Sequence, residues 1–314
     1  MQNIPSTILS ACPSCESTNL FKWGSSTDRD MKVSSEMFSY EECTACGVVF
    51  QNPQIAPHYI STFYPVQYAP HRSHAANKEY VIPKNPRKIA RWPYTKRKLL
   101  SFGEGHGRTF LDYGCGSPAH LDVMRALGWK TIGADFSKDS VDAVEASGHR
   151  GIHTLEDLNL EKIEDQTLDL ILLNHVFEHV YNPVELLQIF LKKLRPQGFI
   201  HLVLPNPQGI SSRLFKSSWY GLEAPRHIIL YPPKRLSELG QSVGFQFAAL
   251  EHENIAKDFS RSFGYALQDL GLLKNVPSHV FLNSRLLNAL FKPITSLFSR
   301  LGKGDRFHLT LQKP

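Results

Sequence analysis

Four of the five cysteines form two pairs in which two residues separate the thiols. The pairs are Cys12 and Cys15 in CPSC, and Cys43 and Cys46 in CTAC. Each pair can hold one metal ion from a tight turn, and two such turns complete the four-sulfur tetrahedron that zinc prefers in structural sites. Because four protein ligands leave no position open for water or substrate, the spacing predicts a structural Zn²⁺. Disulfides or free thiols are the alternative, and a reducing compartment disfavours disulfides.

A glycine-rich turn follows an apolar run in TFLDYGCGSPAHL, at residues 109–121. Gly114 and Gly116 allow the backbone to turn sharply and to approach a ligand closely, because neither has a Cβ atom. Asp135 ends the next apolar run, about twenty residues further on, where a carboxylate can accept hydrogen bonds from ribose hydroxyls. Together these residues predict a nucleotide or nucleoside site.

Pro118 stands where a third glycine would complete the common dinucleotide-binding pattern. Ser117 is a good helix N-cap, and proline is favoured at the first helical position, so we expect the following helix to begin at Pro118. Proline lacks an amide N–H, which weakens the turn as a site for a pyrophosphate. A nucleoside ligand without phosphates would depend less on this missing amide.

The elements around this turn alternate between strands and helices. Short apolar runs and amphipathic stretches follow one another from Thr109 onward, as is typical of strands and crossover helices in a parallel sheet. We therefore predict an α/β fold with a Rossmann-like, doubly wound, mostly parallel sheet whose ligand lies beyond the carboxyl ends of the strands. Predicted strands begin at residues 109, 130, 150, 168 and 199, and predicted helices cover 120–128, 138–148 and 183–198, the last ended by Pro196 and Gly198.

Several of these segments resemble motifs of one enzyme family. FLDYGCGS, IGADFS and LDLILLNHVFEHVYNPVELLQIFLKKLRPQGFIHLVLPN occur in this order between residues 110 and 206. They are similar to the motifs of class I methyltransferases that use S-adenosylmethionine. The resemblance implies the fold of that family, methyl transfer as the activity and S-adenosylmethionine as the cofactor.

The resemblance also implies which residues surround the cofactor. The loop after the first strand would contact its methionine part, and the acidic residue after the second strand would hold its ribose. Glu156 or Asp157, after the third strand, would lie near the adenine amino group, and Asp157 with the backbone of Leu158 is preferred. The implied cofactor residues are Asp112, Gly114, Gly116, Asp135, Asp157, Leu158, Asn174 and His175.

Methyl transfer to a hydroxyl or a carbon atom requires a base. WYGLEAPRHIIL follows the fifth strand, in a segment that in this family often covers the acceptor site. Within it His227 is the preferred base, Glu223 could orient it, and Arg226 could bind an anionic acceptor. Packing or capping is the alternative role for His227. Glu178 and His179 resemble a recurrent family sequence, and we expect them to be structural.

The wider chain resembles a bacterial group of methyltransferases. The shared features are the cysteine module at the front, FYPVQYAP, the methyltransferase motifs and PRH. Members of that group act on nucleotide sugars and on precursors of polysaccharides or natural products. Some sugar C-methyltransferases among them use a tyrosine and a histidine near the acceptor, so Tyr64 or Tyr68 could accompany His227. The catalytic region does not match closely enough to imply carbon methylation, and interdomain packing is the alternative role of both tyrosines.

The motifs suggest three regions. Residues 1–70 would form a zinc-ribbon-like module, 71–108 a basic helical linker, and 109–314 the S-adenosylmethionine-binding domain. GFQFAALE and GDRFHLTLQK alternate like strands and could form an antiparallel edge pair. A helical insertion at about 254–303 would separate them.

An amphipathic segment within that insertion has several apolar residues that we expect to be buried or to face a partner. Core packing or a lid over the substrate is the ordinary interpretation. The more specific alternative is contact with a membrane or a lipid-linked acceptor. The basic residues Arg285, Lys292 and Arg300 favour it. Pro293 should interrupt the helix. The apolar residues are Phe281, Leu282, Leu286, Leu287, Leu290 and Phe291.

Composition narrows the class of protein but not its partner. The 314 residues carry a net charge of +6, with 42% hydrophobic and 20% charged residues, as expected of an ordinary globular protein. We find neither a secretory signal nor a long apolar run, and we predict a cytoplasmic protein without a transmembrane segment. The positive charge suits an anionic partner, including nucleic acid.

The leading hypothesis is O- or C-methylation of a sugar or nucleotide-linked sugar, with a lipid-linked acceptor as a further possibility. RNA methylation is the first alternative. Nucleic acid is the weaker choice, because aromatic residues do not interleave with basic ones as in stacking surfaces. A non-catalytic zinc-dependent binding protein on a methyltransferase scaffold is the second alternative.

Overall fold

The computed structural model describes residues 4–65, 80–154, 160–273, 280–281 and 284–314. The sequence predictions for Tyr68, Glu156, Asp157, Leu158 and Leu282 fall outside these ranges.

The N-terminal region is a small antiparallel β structure. Phe38, Tyr40 and Cys43 alternate toward its interior along one strand, while the residues between them are partly exposed. A 3₁₀ helix at Ile60–Phe63 follows the last strand. The strands are β1 (Ser6–Thr7), β2 (Leu20–Ser26), β3 (Phe38–Cys43), β4 (Val49–Gln51) and β5 (Gln54–Ile55).

Two short helices form the described part of the basic segment, α1 (Pro86–Ile89) and α2 (Tyr94–Leu100). Asn85 caps α1, because its Oδ1 accepts a hydrogen bond from the Arg87 amide at 2.9 Å. Lys98 of α2 forms an ion pair with Glu251 of the large sheet. At least one of the basic side chains therefore stabilises packing within the chain.

The remaining chain builds the predicted alternation of strands and helices. The elements are β6 (Thr109–Tyr113), α3 (Ala119–Ala126), β7 (Lys130–Asp135), α4 (Lys138–Ala146), β8 (Arg150–His153), β9 (Leu168–Asn174), α5 (Pro183–Lys193), β10 (Leu194–Pro205), α6 (Ile210–Phe215), β11 (Ile229–Leu230), α7 (Pro233–Val243), β12 (Gln246–Glu253), α8 (Ala256–Asp269), α9 (Arg285–Arg300) and β13 (Arg306–Gln312).

Seven strands form the central sheet in the order β12-β13-β10-β9-β6-β7-β8. The five strands from β10 to β8 are parallel, and β13 lies antiparallel between β10 and β12. This confirms the predicted mostly parallel sheet and the antiparallel pair at its end. The order reverses between β6 and β9, so the carboxyl ends of these two strands flank the crevice where ligands of such sheets bind.

Two helix boundaries differ from the sequence prediction. Helix α3 begins at Ala119, and Ser117 makes no capping hydrogen bond from its side chain. Helix α5 ends at Lys193 instead of continuing to Gly198, and β10 begins at Leu194, which pairs with Leu168. The second difference has a local cause, because Arg195 precedes Pro196 and a residue before proline is disfavoured in helical conformation.

The helical insertion is confirmed in outline, but Pro293 does not interrupt it. Helix α9 is continuous across Pro293. Its inward face packs on α8, with the rings of Phe291 and Phe259 4.8 Å apart. This contact offsets the hydrogen bond that proline removes. Among the described helices, none has the length and apolar character needed to cross a membrane.

The two parts of the molecule share a sheet. Strand β11 pairs antiparallel with β4, with Ile229 opposite Phe50 and Leu230 opposite Val49. The resulting four-stranded sheet has the order β11-β4-β3-β2. The segment that carries His227 immediately precedes β11, so this sheet fixes His227 against the N-terminal module. The exact division of the chain into three regions stays a prediction.

Candidate active site and cysteine cluster

The four paired cysteines come together at one end of the N-terminal module. The sulfur atoms of Cys12 and Cys46 are 3.7 Å apart, and those of Cys15 and Cys43 are 3.6 Å apart. All four sulfurs lie within 4.8 Å of one another. Tetrahedral zinc with bonds of about 2.3 Å would separate its sulfur ligands by about 3.8 Å. The donor set therefore fits zinc.

The two cysteine turns have the same backbone design. The amide of Glu16 donates to the carbonyl of Cys12, and the amide of Gly47 donates to the carbonyl of Cys43, at 2.9 and 2.7 Å. Glu16 and Gly47, each directly after a pair, both have left-handed φ angles, 60° and 74°. Each turn thus presents two thiols toward the same point, which is the arrangement that the sequence spacing predicts.

The glycine turn after β6 needs glycine at Gly114. Its φ is +71°, and a Cβ atom there would lie 2.4 Å from Cγ2 of Val176. The amides of Gly114 and Cys115 both donate to the carbonyl of Ala134, at 2.8 and 3.1 Å. The loops after β6 and β9 consequently meet at contact distance, and the turn is held against β7.

Asp135 holds this turn from the end of β7. Its Oδ2 accepts a hydrogen bond from the Gly116 amide and its Oδ1 from the Ser137 amide, each at 2.8 Å. The side chain is buried and lines the cavity described below. Each carboxylate oxygen can accept more than one hydrogen bond, so this side chain has the chemistry that binding of ligand hydroxyls requires.

The other cofactor candidates follow β6 and β9. Oδ2 of buried Asp112 lies 3.2 Å from Nδ1 of His120. Asn174 accepts a hydrogen bond from the Thr95 hydroxyl at 3.1 Å. His175 has a left-handed φ of 57°, which is strained for this residue type and directs the chain sharply at the end of β9. All three side chains line the same cavity as the glycine turn.

A cavity of about 960 Å³ connects these residues. This volume is at the upper end of ordinary ligand sites and has room for a nucleoside-sized ligand and a second molecule. Gly114 and Gly116 provide a cradle without Cβ atoms, and Asp135 stands where a ribose would be held. The residues therefore fit S-adenosylmethionine, which supplies an electrophilic sulfonium methyl group when it is bound.

His227 lies in the wall of this cavity and is only 3% exposed. Its Nδ1 is 2.8 Å from the carbonyl oxygen of Gly221. A carbonyl can only accept a hydrogen bond, so Nδ1 carries the proton and Nε2 of the neutral ring is the basic atom. Nε2 lies 3.6 Å from Oε2 of Glu223 and 3.7 Å from Oε1 of Glu178. The predicted pairing of His227 with Glu223 is present, and Glu178 adds a second carboxylate.

Glu178 and His179, which the sequence predicts to be structural, both lie beside His227. His179 lies in the cavity wall, and its ring centroid is 4.8 Å from that of His227. The Oη atom of Tyr64 lies 3.0 Å from Nδ1 of His179, which also contacts the Arg226 carbonyl at 2.8 Å. Local spacing gave no signal for this grouping, because the packing of the N-terminal module against β9 and β11 creates it.

The electrostatics of the group favour ionised carboxylates. Burial opposes ionisation of Glu223, but electrostatic interaction with the neighbouring His227 and Arg226 outweighs it and lowers its pKa to about 2. The pKa of Glu178 is also lowered, since the hydrogen bond from His175 and the nearby histidines overcome the effect of burial. Burial lowers the pKa of His179. Two ionised carboxylates therefore flank the His227 ring.

Arg226 does not face the acceptor cavity, contrary to the sequence interpretation. It is fully buried, and its guanidinium pairs with Asp28 at 3.1 Å and with Glu223 at 3.0 Å. It also donates to the carbonyl of Phe63 at 3.2 Å. Its charge is thus satisfied by groups of the N-terminal module and by Glu223. Removing one partner of such a pair typically costs 3–5 kcal/mol because a buried charge is left alone.

The far end of the cavity is formed by the C-terminal part of the chain. Asp258 of α8 and Arg306 of β13 form an ion pair at 2.7 Å, and both line the cavity. Asp305 is 6% exposed, and burial with the neighbouring Asp258 raises its pKa to about 7. Local sequence patterns give no signal for these residues, because they become neighbours only where β13 pairs with β10.

Comparisons with known proteins agree with this architecture. A family model described as a methyltransferase domain matches residues 75–250, which is more than half of the chain. A ubiquinone biosynthesis O-methyltransferase from Bartonella bacilliformis is 25% identical over 162 residues. That alignment covers 48% of this chain and 62% of the relative, so the chain spans less than two thirds of the relative's length.

Solved structures give the same picture of the fold. A geranyl diphosphate C-methyltransferase from Streptomyces coelicolor A3(2) superposes with a TM-score of 0.52 at 13% identity, covering 83% of this chain and all of that one. An S-adenosylmethionine-dependent methyltransferase from Archaeoglobus fulgidus has a TM-score of 0.48 at 20% identity, covering 70% and 93% of the two chains. The first likeness supports the fold alone. Taken with the match to the family model and the strand order, the chain belongs to the methyltransferase domain family, with the class I fold and an N-terminal four-cysteine module that fits zinc.

Proposed function

We propose that this enzyme transfers the methyl group of S-adenosylmethionine to a hydroxyl or carbon atom of a sugar or nucleotide-linked sugar in the biosynthesis of a polysaccharide or natural product. The observation that carries the proposal is the position of His227 in the same cavity as the glycine turn and Asp135. A base beside the cofactor site is what an acceptor that must lose a proton requires. This proposal rests also on the sequence motifs that resemble those of the bacterial methyltransferases acting on nucleotide sugars.

His227 is the proposed base. Its Nδ1–H donates to the Gly221 carbonyl, so the ring is held with Nε2 available to accept a proton from the acceptor. The carboxylates of Glu178 and Glu223, 3.7 and 3.6 Å away, would stabilise the imidazolium that forms. Tyr64, through its contact with His179, is proposed to position the acceptor beside these groups.

The lining of the acceptor end supports a hydroxyl-rich molecule. Side chains from three parts of the chain contribute hydrogen-bonding groups there: the N-terminal module, the segment before β11, and the α8–β13 region. They include Asp30, His58, Ser61, Tyr220, Asp258 and Arg306. A sugar needs many such groups, because each buried hydroxyl without a partner costs binding free energy. Arg306 is the proposed contact for an anionic part of the acceptor.

The roles of the cofactor residues are proposed from the resemblance to S-adenosylmethionine-dependent methyltransferases and from their positions around the cavity. We propose that Asp112, Gly114 and Gly116 contact the methionine part and that Asp135 holds the ribose, with Asn174 and His175 lining the pocket. Asp157 and Leu158 stay predictions for the adenine end. We also keep the cytoplasm as the proposed location, where reduced thiols would be available to bind zinc.

Thermal shift measurements in two steps test the proposal. S-adenosylhomocysteine should raise the melting temperature of zinc-loaded protein, and nucleotide sugars added afterward should raise it further for one class of sugar, because ligands that bind the native state stabilise it. Asp135→Asn should reduce the first shift, whereas Asp139→Asn, an exposed change on α4, should not. A first shift without a second one for any nucleotide sugar or free sugar would contradict the sugar assignment and leave the cofactor assignment intact.

A further inference from the structure

Helix α9 exposes a continuous row of large apolar side chains, which we call the apolar stripe: Leu286, Leu290, Ile294, Leu297 and Leu301. Leu286 is 79% exposed and Leu290 is 62% exposed. The spacing of three or four residues places all five on one face of the helix. A scattered exposed leucine is ordinary, but a row of this kind marks an interaction surface.

The apolar stripe is not the face of α9 that packs on the core, because the opposite face of the helix already packs on α8. Phe291 contacts both Phe259 and Phe263 of α8, with ring centroids 4.8 and 5.5 Å apart. Asn288 accepts a hydrogen bond from Ser260 at 2.9 Å, and Thr295 is buried. These contacts fix the rotation of the helix with the stripe directed away from the molecule.

The charges beside the stripe are all positive. Arg285, Lys292, Arg300 and Lys303 are exposed, and no acidic residue occurs between residues 284 and 303. At about 100° per residue, the first three lie together along one edge of the stripe. Within the described ranges, none of these four side chains forms an ion pair with a carboxylate. The helix thus presents apolar and cationic groups side by side.

The apolar surface continues at one end of the helical pair. Helices α8 and α9 run antiparallel, since Phe259 lies near both Phe291 and Phe298 while Gly264 lies against Phe281. The end of α8 therefore lies near the start of α9. Exposed apolar residues at that end are Leu270, Leu272 and Val280.

We propose that α9 docks on an anionic lipid bilayer, lying in the plane of the interface with the apolar stripe inserted and the cationic edge against lipid headgroups. An amphipathic helix with basic residues beside an apolar face is built for this arrangement. A second copy of the chain fits less well, because the same helix in the partner brings no acidic residue to pair with the cationic edge. The proposal does not depend on the identity of the acceptor.

Docking in this manner would bring the acceptor cavity close to the bilayer. Helix α8 contributes Asp258 to the cavity wall and packs α9 on its other side. The pair of helices α8 and α9 therefore lies between the cavity and the membrane-facing surface. An acceptor joined to a lipid would have a short path to His227, whereas a free acceptor would enter from solution.

Vesicle flotation with the zinc-loaded full chain tests the proposal. Wild-type protein should float with vesicles of phosphatidylcholine and phosphatidylglycerol, and binding should fall with salt and with the removal of phosphatidylglycerol. Exchanging Leu286, Leu290 and Leu297 for serine should weaken binding by roughly tenfold or more. Exchanging Arg285, Lys292 and Arg300 for glutamine should abolish the preference for anionic vesicles.

A matched control distinguishes the effect of the apolar stripe from that of any exposed leucine on the surface. Leu214→Ser removes a leucine of α6 that is 62% exposed, as Leu290 is, and should leave flotation unchanged. Zinc content and the melting temperature of each variant establish that it is folded. Failure of the wild type to bind anionic vesicles, or equal binding by the leucine variants, would overturn the proposal. So would a concentration-dependent dimer that the leucine variants convert to monomer.

Discussion

Nε2 of His227 lies 3.7 Å from Oε1 of Glu178, although the two residues belong to different parts of the fold. Glu178 follows β9 in a 3₁₀ helix at Phe177–His179, and His227 precedes β11. The amide of Ile228 donates to the Glu178 carbonyl at 3.0 Å, which joins the two segments. The pairing of β11 with the N-terminal sheet thus brings His227, the proposed base, to the end of a strand of the central sheet.

His227→Asn tests the proposed base. The asparagine amide can still donate to Gly221, but it lacks a basic nitrogen in place of Nε2. We expect turnover to fall by about 10²–10⁴-fold, with S-adenosylhomocysteine affinity nearly unchanged. Single-turnover rates across a range of pH provide the measurement. His106→Asn, an exposed substitution outside the cavity, is the control, and wild-type rates in His227→Asn would assign His227 to packing.

Gly114→Ala tests the contact between the loops after β6 and β9. The new Cβ would overlap Val176, in addition to the strain of a positive φ. Gly107→Ala is the matched control, because Gly107 also has a positive φ but has open space around its missing Cβ. Calorimetry should show a loss of S-adenosylhomocysteine binding only for Gly114→Ala. Equal effects of the two variants would mean that backbone strain, not the contact, is what matters.

Cys43→Ser should remove zinc and destabilise the N-terminal module, because one of four ligands is lost and the metal contributes to folding. Its effect should extend to methyl transfer, since residues of this module line the acceptor end of the cavity. Metal analysis and melting temperature measure the first effect. Cys115→Ser, outside the cluster, should retain a full complement of zinc. A zinc content that Cys43→Ser does not reduce would exclude the four-cysteine site.

Asp305→Asn should stabilise the protein most at alkaline pH. The folded-state pKa of Asp305 is raised to about 7, so its ionisation disfavours the folded state increasingly as pH rises from about 4 toward 7. Below pH 4 the carboxyl is protonated in both states and contributes nothing. The melting temperature of the variant should exceed that of wild type by several degrees at pH 8 and by less at pH 5. A difference independent of pH would contradict the raised pKa.

Features that depend on neighbouring residues were predictable from the sequence. The two cysteine pairs, the glycine turn and the spacing of Glu223 and His227 all act over a few residues, and the structure retains their local arrangement. The alternation of strands and helices likewise predicted the parallel sheet. The order of its strands followed from the resemblance rather than from local patterns.

Features that depend on distant packing were not predictable in the same way. The guanidinium fork of Arg226 suits an anionic acceptor, but its buried partner Asp28 lies in another region of the chain, and local sequence gives no signal of that pair. The sequence predicts a structural role for Glu178 and His179, because it is the pairing of β11 with β4 that brings His227 beside them. Pro293 is expected to interrupt helix α9. The contacts of α9 with α8 keep the helix continuous. In each case the role of the residue depends on a tertiary contact that the local sequence does not specify.

Incubation with methyl-labelled S-adenosylmethionine tests the central claim most directly. Wild type and His227→Asn should be compared on nucleotide-sugar, lipid and RNA fractions of the source cell, followed by identification of the labelled product. We predict label in a sugar, either in the nucleotide-sugar fraction or in the headgroup of a lipid, and its loss in the variant. Label in RNA, or equal labelling of a sugar by His227→Asn, would contradict the account.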